Sequence, residues 1–503
     1  MRVHAELFLR PLPFDRYPFP FPKTLMLTED TFYSSVVELA AQIRARKLSP
    51  VELTEGYLAR LERFGARLGA VVTVMRASAL EEARQAEREI RAGRYKGLLH
   101  GIPYGAKDLL ATREAPTTWG ATPYKDQRFD YDATVVRKLR DAGAVLVAKL
   151  AMIELAGGMG YNQADASLTG ACRTPWNTGY WSGGSSSGPG AAVAAGLVAF
   201  AIGSETSGSI ITPASFCGVT GLRPTYGMVS RHGAMALCWT LDKLGPMCRT
   251  AADAGHVLAA IAGRDPLDAS SLERGNFRYP ATAAAATRTQ KKPLRLAVMK
   301  DSYEKAQKEV RENFLASLEA LKRADARRVS IEMDVALPDY PYGAAVGTIV
   351  DAEGAAAFRD LIESGRVGEL ASPEGRVGGY SASLVTAVDY LHAMRMRVPM
   401  RRAWGEFFRK YDVLVAPARA TVAYPVGKTF DQAYPGIGAS SPIGASNLVG
   451  VPAISVPNGF GQEGLPTGIQ FVGAPWSELT LLELADKYQQ ATDWHRRRPT
   501  LKD

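Results

Sequence analysis

The stretch GGSSSGPGAAVAAGLVAFAIGSETSGS, residues 183–209, places two clusters of glycine and serine on either side of an apolar run. The segment from Ala191 to Ala195 has no polar face, so we expect a buried helix there. A short buried strand is expected from Leu197 to Ile202, ended by Gly203. The turn from Ser204 to Ser209 follows. A strand, a tight turn and a helix start in this order can direct several backbone N–H groups at one anion.

Two serine clusters joined by a buried helix and strand suggest a nucleophile with a helper, and a serine nucleophile needs a group that takes its proton. None of the histidines lies near the serines in sequence; they are His4, His100, His232, His256, His392 and His495. Lysine is the alternative base. Lys107 lies in GIPYGAKDLL, between a turn rich in glycine and proline and the apolar pair Leu109-Leu110. Desolvation there would lower the pKa of the amine and make it a usable base.

These motifs together resemble the amidase signature family. The resemblance rests on GIPYGAKDLL, GGSSSG and GSETSGS, and on the spacing of 24 positions between Ser185 and Ser209. It extends over about residues 33–499. Further matching segments are CGVTGLRPTYGMVSRHG (217–233), LDKLGPMCRT (241–250), YDVLVAP (411–417), NLVGVPAISVP (447–457), GLPTGIQFVG (464–473) and WHRRRP (494–499).

The resemblance implies a catalytic triad of two serines and a lysine. Ser209 would be the nucleophile, Ser185 the bridging serine after a cis peptide bond from Gly184, and Lys107 the base. The oxyanion hole would be formed by the backbone N–H groups of Thr206, Ser207, Gly208 and Ser209. Met159, in a segment that borders the acyl pocket in relatives, and Gly184 are expected to contact the substrate. No metal and no cofactor are implied.

Three positions depart from the family pattern. Ser207 replaces a glycine before the nucleophile, Glu205 replaces the usual aspartate, and Ile211 stands where relatives often carry an arginine. That arginine contacts a substrate carboxylate or joins an ion pair in some relatives. Its loss predicts an apolar acyl pocket, and hence hydrolysis of aryl or alkyl amides, with esters or carbamates as further substrates.

The alternation of short apolar runs with helical patterns predicts an α/β fold. The family's form of it is a single large α/β/α domain whose mixed central sheet is flanked by helices. We expect an extended N-terminal arm over residues 1–30 and one domain over residues 31–503. Its signature core would cover about 98–250, and a variable, substrate-shaping region about 340–410. Lys149, at the end of the predicted strand AVLVAKL, is interpreted as structural.

Composition narrows the class of protein. The four cysteines show neither a CxxC pair nor metal-ligand spacing, which favours a reducing compartment. The formal net charge of +9 is spread along the chain, so a solvated basic surface is favoured over a nucleic-acid partner. The N-terminal sequence lacks a signal-peptide pattern, and the longest apolar run is too short to span a membrane. A cytoplasmic enzyme acting on a small-molecule amide, as a monomer or homodimer, is the resulting expectation.

Three alternatives remain open at the level of sequence. The first is the glutaminase subunit of a tRNA-dependent amidotransferase, which shares these motifs and would need a partner subunit. The second is an α/β-hydrolase, because residues 184–188 satisfy G-x-S-x-G with Ser186 as nucleophile and His392 or His495 as a late histidine. The third is a non-catalytic binding protein on the same scaffold, against which the intact Lys107, Ser185 and Ser209 argue.

Overall fold

A single mixed β-sheet organises the computed structural model, which describes residues 27–273, 277–280, 293–324 and 329–501. Its strands are β1 Val71–Val74, β2 Pro103–Lys107, β3 Val145–Leu150, β4 Phe200–Glu205, β5 Thr220–Arg223, β6 Lys243–Cys248, β7 Leu294–Met299, β8 Val329–Val335, β9 Val413–Pro417, β10 Ala453–Phe460 and β11 Pro466–Gly473. Their order across the sheet is β1-β3-β2-β4-β6-β5-β10-β11-β9-β7-β8.

Helices cover this sheet. They are α1 Glu29–Tyr33, α2 Val36–Arg44, α3 Pro50–Phe64, α4 Arg76–Arg91, α5 Thr134–Asp141, α6 Ser187–Ala194, α7 Ile211–Cys217, α8 Ala251–Ile261, α9 Lys308–Ala324, α10 Tyr342–Ala357, α11 Arg359–Glu363, α12 Gly375–Ala382, α13 Ala387–Lys410, α14 Phe430–Ala433, α15 Ile443–Val449 and α16 Glu478–Ala491. The predicted α/β class with a mixed central sheet is confirmed. Residues 1–26 of the predicted N-terminal arm lie outside the described residues.

Strands β2, β3 and β4 form a buried parallel section toward one end of the sheet, and every residue in them is buried. Tyr104 of β2 and Phe200 of β4 are paired in register, and their rings stack with centroids 5.2 Å apart. Parallel strands run in the same direction, so their carboxyl ends meet at one edge of the sheet. This edge brings Lys107, the last residue of β2, next to the end of β4.

Helices α6 and α7 have buried side chains throughout and pack against each other beside the sheet. The buried helix predicted from the apolar run is confirmed. The strand after it differs from the prediction, because β4 begins at Phe200 and passes through Gly203 to Glu205. A Cβ on Gly203 would lie 3.0 Å from Ser186 Oγ and 3.2 Å from Met247 Sδ. This glycine allows close packing inside the strand and does not end it.

Local capping explains where the first helices begin. Ser35 and Glu38 form a capping box that starts α2, while Ser49 caps α3 ahead of Pro50.

The four cysteines are all buried and free. Among the described residues, no helix is both long and apolar enough to cross a membrane. The cytoplasmic location stays a prediction.

Candidate active site

Lys107 is the buried amine at the centre of the site. Its side chain has no solvent exposure, and its Nζ lies 2.7 Å from Ser185 Oγ and 2.9 Å from Ser204 Oγ. Burial lowers the pKa of this amine to about 7, against the opposing influence of the carboxylates of Asp242 and Glu205. A lysine in this state is neutral in a large fraction of molecules near neutral pH. It can then accept a proton from a hydroxyl group that it contacts.

The two serines of the proposed triad sit on either side of α6. The Gly184–Ser185 peptide bond is cis, Ser185 is fully buried, and its carbonyl accepts a hydrogen bond from Ile153 N–H at 3.1 Å. Ser209 precedes α7 and is 8% exposed, so it is the serine of the pair that solvent can reach. The hydrogen bonds among the described residues include none between Ser185 Oγ and Ser209 Oγ. The structure therefore joins Lys107 to Ser185 directly and places Ser209 nearby without that second bond.

The turn between β4 and α7 presents unused backbone donors. The N–H groups of residues 206–209 donate to no protein acceptor among the described residues, whereas those of Ile210 and Ile211 donate to Glu205 Oε2 at 2.8 and 2.9 Å. Gly208 adopts a φ of +96°, and a Cβ there would lie 3.1 Å from Ile443 Cγ2. Free donors in a fixed turn are what an oxyanion hole requires.

Glu205 is a fully buried carboxylate that holds the end of this turn, through the hydrogen bonds that it accepts from the backbone of Ile210 and Ile211. Its Oε1 accepts hydrogen bonds from Arg223 Nη1 and Asn447 Nδ2, both at 2.8 Å. Burial alone would raise the pKa of Glu205, but Arg223, together with the bonds from Asn447 and Ile211, holds it below its usual value. Arg223 comes from β5, which β6 separates from β4 in the sheet. It thus supplies the cation that pairs with Glu205 in a chain that carries Ile211 two residues after Ser209.

A cavity of about 200 Å³ opens beside the triad. Its lining residues are Leu109, Ala156, Ser204, Thr206, Arg231, His232, Ala234, Met235, Ala236, Leu237, Trp239, Asp242, Leu244, Leu267 and Asp268. Most of this surface is apolar. Asp242 lines the cavity and accepts a hydrogen bond from Thr206 Oγ1 at 2.6 Å, which connects the cavity wall to the turn of residues 206–209. Burial raises the pKa of Asp242.

Arg231 carries the guanidinium group of this cavity, and that group is already engaged. It donates hydrogen bonds to the carbonyl of Trp239, to Tyr226 OH at 3.1 Å and to Ser270 Oγ at 2.7 Å. Its Nε also lies 3.8 Å from the carboxylate of Asp268. A ligand carboxylate would have to displace these partners to reach it.

Met159 and Gly184 are the two predicted substrate contacts. Met159 is 4% exposed and packs against α12, where a Cβ on Gly379 would lie 2.8 Å from its sulfur. It is not among the residues that line the cavity. A Cβ on Gly184 would lie 2.7 Å from the Trp181 ring and 2.8 Å from Ile153. The substrate contacts of both residues stay predictions.

Ser186 has a different environment from Ser185 and Ser209. Its Oγ donates to the carbonyl of Ser204 at 3.0 Å and accepts from the N–H of Ser204 at 3.2 Å. The hydroxyl that an α/β-hydrolase interpretation would use is therefore buried and bonded to backbone. His392 lies exposed on α13, and burial lowers the pKa of His495 to about 4 in the C-terminal segment.

Sequence reasoning missed three residues of the site: Ser204, Arg223 and Asp242. Ser204 lies in the segment expected to be a turn, whereas the structure places it in β4, four residues after the start of the strand and beside Lys107. Arg223 and Asp242 come from β5 and from the segment just before β6. Only the order of strands in the sheet brings them to the turn.

The Amidase family model matches residues 52–482. The chain is 36% identical to the A subunit of the glutamyl-tRNA(Gln) amidotransferase of Acinetobacter baumannii (strain AYE), covering 93% of this chain and 98% of that protein. The native peptide amidase of Stenotrophomonas maltophilia is 32% identical, with a TM-score of 0.78 and coverage of 96% and 100%. A chain from a vestigial protein complex, solved in a study of the origins of an s-triazine catabolic enzyme, gives a TM-score of 0.81 at 28% identity, covering 93% of this chain and 100% of its own. With this match over most of its length and the geometry around Lys107, the chain belongs to the amidase family, also called the amidase signature family.

Proposed function

We propose that the protein hydrolyses carboxylic amides through an acyl-enzyme formed on Ser209. The observation that carries the proposal is the 2.7 Å contact between Lys107 Nζ and Ser185 Oγ, combined with burial that lowers the pKa of the amine to about 7. A buried amine of this kind can act as a general base, because its contact is a hydroxyl group and not a carboxylate.

The reaction then follows from the positions of these groups. Neutral Lys107 takes the proton of Ser185 while Ser185 takes that of Ser209, and Ser209 Oγ attacks the amide carbonyl carbon. The oxyanion is stabilised by the free N–H groups of residues 206–209, each such donor being worth about 3 kcal/mol in the transition state. The C–N bond breaks as the lysine proton returns through Ser185 to the leaving nitrogen. Water, deprotonated by the same route, attacks the acyl-enzyme and releases the carboxylic acid. Catalytic hydrogen bonds are often long in free enzymes and shorten with substrate bound, which fits the open Ser185–Ser209 pair.

The cavity supports uncharged aryl or alkyl amides as substrates, with esters or carbamates as related ones. Its walls are mainly apolar, and its arginine is engaged by protein groups. An apolar cavity of about 150 Å³ can hold benzene. A cavity of about 200 Å³ therefore accommodates an acyl group with a single ring or a short alkyl chain.

The glutaminase subunit of a tRNA-dependent amidotransferase is the second candidate. Its support is the 36% identity to the A subunit of such an enzyme over 93% of this chain, and the curated relatives support it more directly than they support a stand-alone amidase. This candidate requires a site for the charged groups of glutamine, together with a partner subunit. It shares the proposed triad chemistry and differs in substrate and assembly.

Two measurements test the proposal. A fluorophosphonate probe should label wild-type protein on the peptide that contains Ser209, and Ser209→Ala should abolish the label. Absence of labelling in folded wild type would contradict the triad assignment. Initial rates on benzamide, hexanamide and glutamine then separate the candidates, because the apolar cavity predicts faster turnover of the first two. Strict preference for glutamine, or activity only with a co-purified partner, would favour the amidotransferase interpretation.

A further inference from the structure

One wall of the cavity is the loop of residues 235–241, and two carboxylates accept hydrogen bonds from it. On the side of the turn of residues 206–209, Asp242 Oδ2 accepts hydrogen bonds from the N–H groups of Leu237 and Cys238, at 2.9 and 2.8 Å. Leu237 and Trp239 of this loop line the cavity directly. The position of the loop therefore sets the width of the space that receives the acyl group.

On the other side, the loop is held by Glu353 of α10. Its Oε2 accepts hydrogen bonds from Cys238 Sγ and Thr240 N–H, both at 3.0 Å, and its Oε1 accepts from Thr240 Oγ1. Tyr390 OH, from α13, donates to Oε1 at 2.8 Å. Glu353 is 1% exposed, so these four donors replace the water that would otherwise solvate its charge.

Neighbouring contacts place α10 directly against the same wall. A Cβ on Gly354 would lie 3.4 Å from Leu237 Cδ1 and 3.5 Å from the carbonyl of Gly158. Among the described residues, Glu353 makes no hydrogen bond to Lys107, Ser185 or Ser209. Its contact with the cavity is therefore through the wall of residues 237–240.

We propose that Glu353 is a positioning residue that fixes the wall of residues 237–240 and so determines which acyl groups the cavity accepts. The inference rests on the proposed amide hydrolysis and adds a determinant of its selectivity. The segment around residues 340–410, expected from the sequence to shape substrate choice, would act through this carboxylate. It reaches the cavity wall without lining the cavity itself.

Glu353→Gln is the direct test, because it keeps the shape of the side chain and replaces one acceptor oxygen with an NH2 donor. With the amide oxygen on Cys238 Sγ and Thr240 N–H, its NH2 group faces the hydroxyls of Thr240 and Tyr390, which must turn from donors into acceptors. The hydrogen bonds to the wall are then no longer to a charged group, so the wall loses part of its attachment. We expect the ratio of kcat/KM for benzamide to that for acetamide to fall roughly tenfold, the lower end of what pocket contacts contribute to discrimination. Most of the change should appear in KM for benzamide. Labelling of Ser209 by a small fluorophosphonate should stay within about twofold, since the triad is untouched.

Tyr390→Phe is the matched control, because it removes a donor to the same carboxylate from the α13 side and leaves the bonds to the wall in place. Its selectivity ratio should match that of wild type. Thr240→Val, which removes one donor from the wall side at nearly constant volume, should shift the ratio in the direction of Glu353→Gln by a smaller factor. It provides the test if Glu353→Gln does not fold.

The outcomes distinguish this inference from the proposed function. A selectivity ratio unchanged in folded Glu353→Gln and in Thr240→Val would overturn the positioning role. Equal losses for both amides and for labelling would also overturn it, since they indicate general damage to the site. Wild-type protein that neither labels nor turns over either amide would instead contradict the proposed function.

Discussion

Two buried lysines on adjacent parallel strands have opposite surroundings. Lys107 ends β2 and contacts the hydroxyl groups of Ser185 and Ser204, whereas Lys149, one residue before the end of β3, is paired with Asp108 at 2.9 Å and with Thr117 Oγ1 at 2.7 Å. Neither side chain is exposed. Burial lowers the pKa of both, and carboxylates oppose the shift in both cases, but only for Lys149 is the opposing carboxylate, Asp108, in direct contact with the amine among the described residues. The partner, and not burial, separates a candidate base from a structural cation.

Lys243 shows that a lowered pKa alone does not identify a base. Burial, reinforced by Arg223, lowers the pKa of this lysine to about 7 as well. Its ammonium group, however, donates to the carbonyl of Leu241. A carbonyl has no proton to give, so the amine has nothing to activate there. Contact with a hydroxyl is the second condition, and an amine with no paired carboxylate among the described residues is the third. Lys107 meets all three, whereas Lys149 contacts Thr117 Oγ1 but is paired with Asp108.

Among the tests of this comparison, replacing Lys107 with alanine should have the largest effect on activity. We expect kcat/KM to fall roughly 10³- to 10⁴-fold, because a general base contributes up to about 10⁴-fold and no second amine contacts Ser185 among the described residues. Initial-rate kinetics on benzamide would measure the loss, with circular dichroism confirming the fold. Undiminished turnover in a folded variant would remove the basis for the proposed mechanism.

Replacing Lys149 with methionine should act on stability. It leaves the carboxylate of Asp108 buried without its cation, and breaking a buried pair in this way costs about 3–5 kcal/mol. Urea unfolding would measure the difference in the free energy of unfolding. The double variant Lys149→Met/Asp108→Asn is the control: it removes the unpaired charge while the amide oxygen can still accept from the N–H and the hydroxyl of Thr118, so it should recover most of the loss. If Lys149→Met unfolds like wild type but loses activity, the structural assignment of Lys149 is wrong.

The dependence of the rate on pH sharpens the distinction further. Lys107 works only when neutral, and its pKa is about 7. Below that value kcat/KM should fall about tenfold per pH unit, and above it the rate should level off. The measurement is a profile of kcat/KM from pH 5 to 9 on an uncharged amide. A rate that still rises about tenfold per pH unit between pH 8 and 9 would mean that burial does not lower the pKa of Lys107 in solution.

Removal of the Ser204 hydroxyl should give the smallest effect. Ser204→Ala deletes one of the two oxygens that orient the amine of Lys107, and a hydrogen bond contributes about 1 kcal/mol net, so we expect a roughly fivefold loss in kcat. That oxygen accepts from the ammonium form and stabilises it. Its loss should therefore move the acidic limb of the pH profile to lower pH. A shift to higher pH would contradict the assigned contact.

Local features of the chain were sufficient to predict the desolvated lysine, Lys107, and the buried helix. Glycine, proline and flanking leucines around Lys107 indicated desolvation, and the uninterrupted small apolar residues of α6 indicated burial. The expectation that Gly203 ends the strand is wrong, because a glycine inside a strand cannot be told from a strand end in the sequence. A glycine stands there because the side chains of Ser186 and Met247, from other segments, approach this position closely.

Partners distant in sequence could not be predicted. Arg223 reaches Glu205 from β5, and Asn447 reaches it across 242 positions of the chain. Glu353 contacts Thr240 across 113 positions. Such pairs depend on strand order and helix packing, which hydrophobic periodicity does not encode.

The buried carboxylate of Glu205 has a consequence for fragments of the chain. Its partner Arg223 also donates to Ser446 Oγ at 3.0 Å and to the carbonyl of Val451 at 2.9 Å, and β5 pairs with β10. A piece ending near residue 250 would retain all three triad residues yet lose Asn447, both of these acceptors and the strand that covers β5. Truncation there would leave the buried pair of Glu205 and Arg223 without part of its hydrogen bonds and would expose an unpaired edge of β5. We therefore expect the segment that carries the signature motifs to need the C-terminal third of the polypeptide in order to fold.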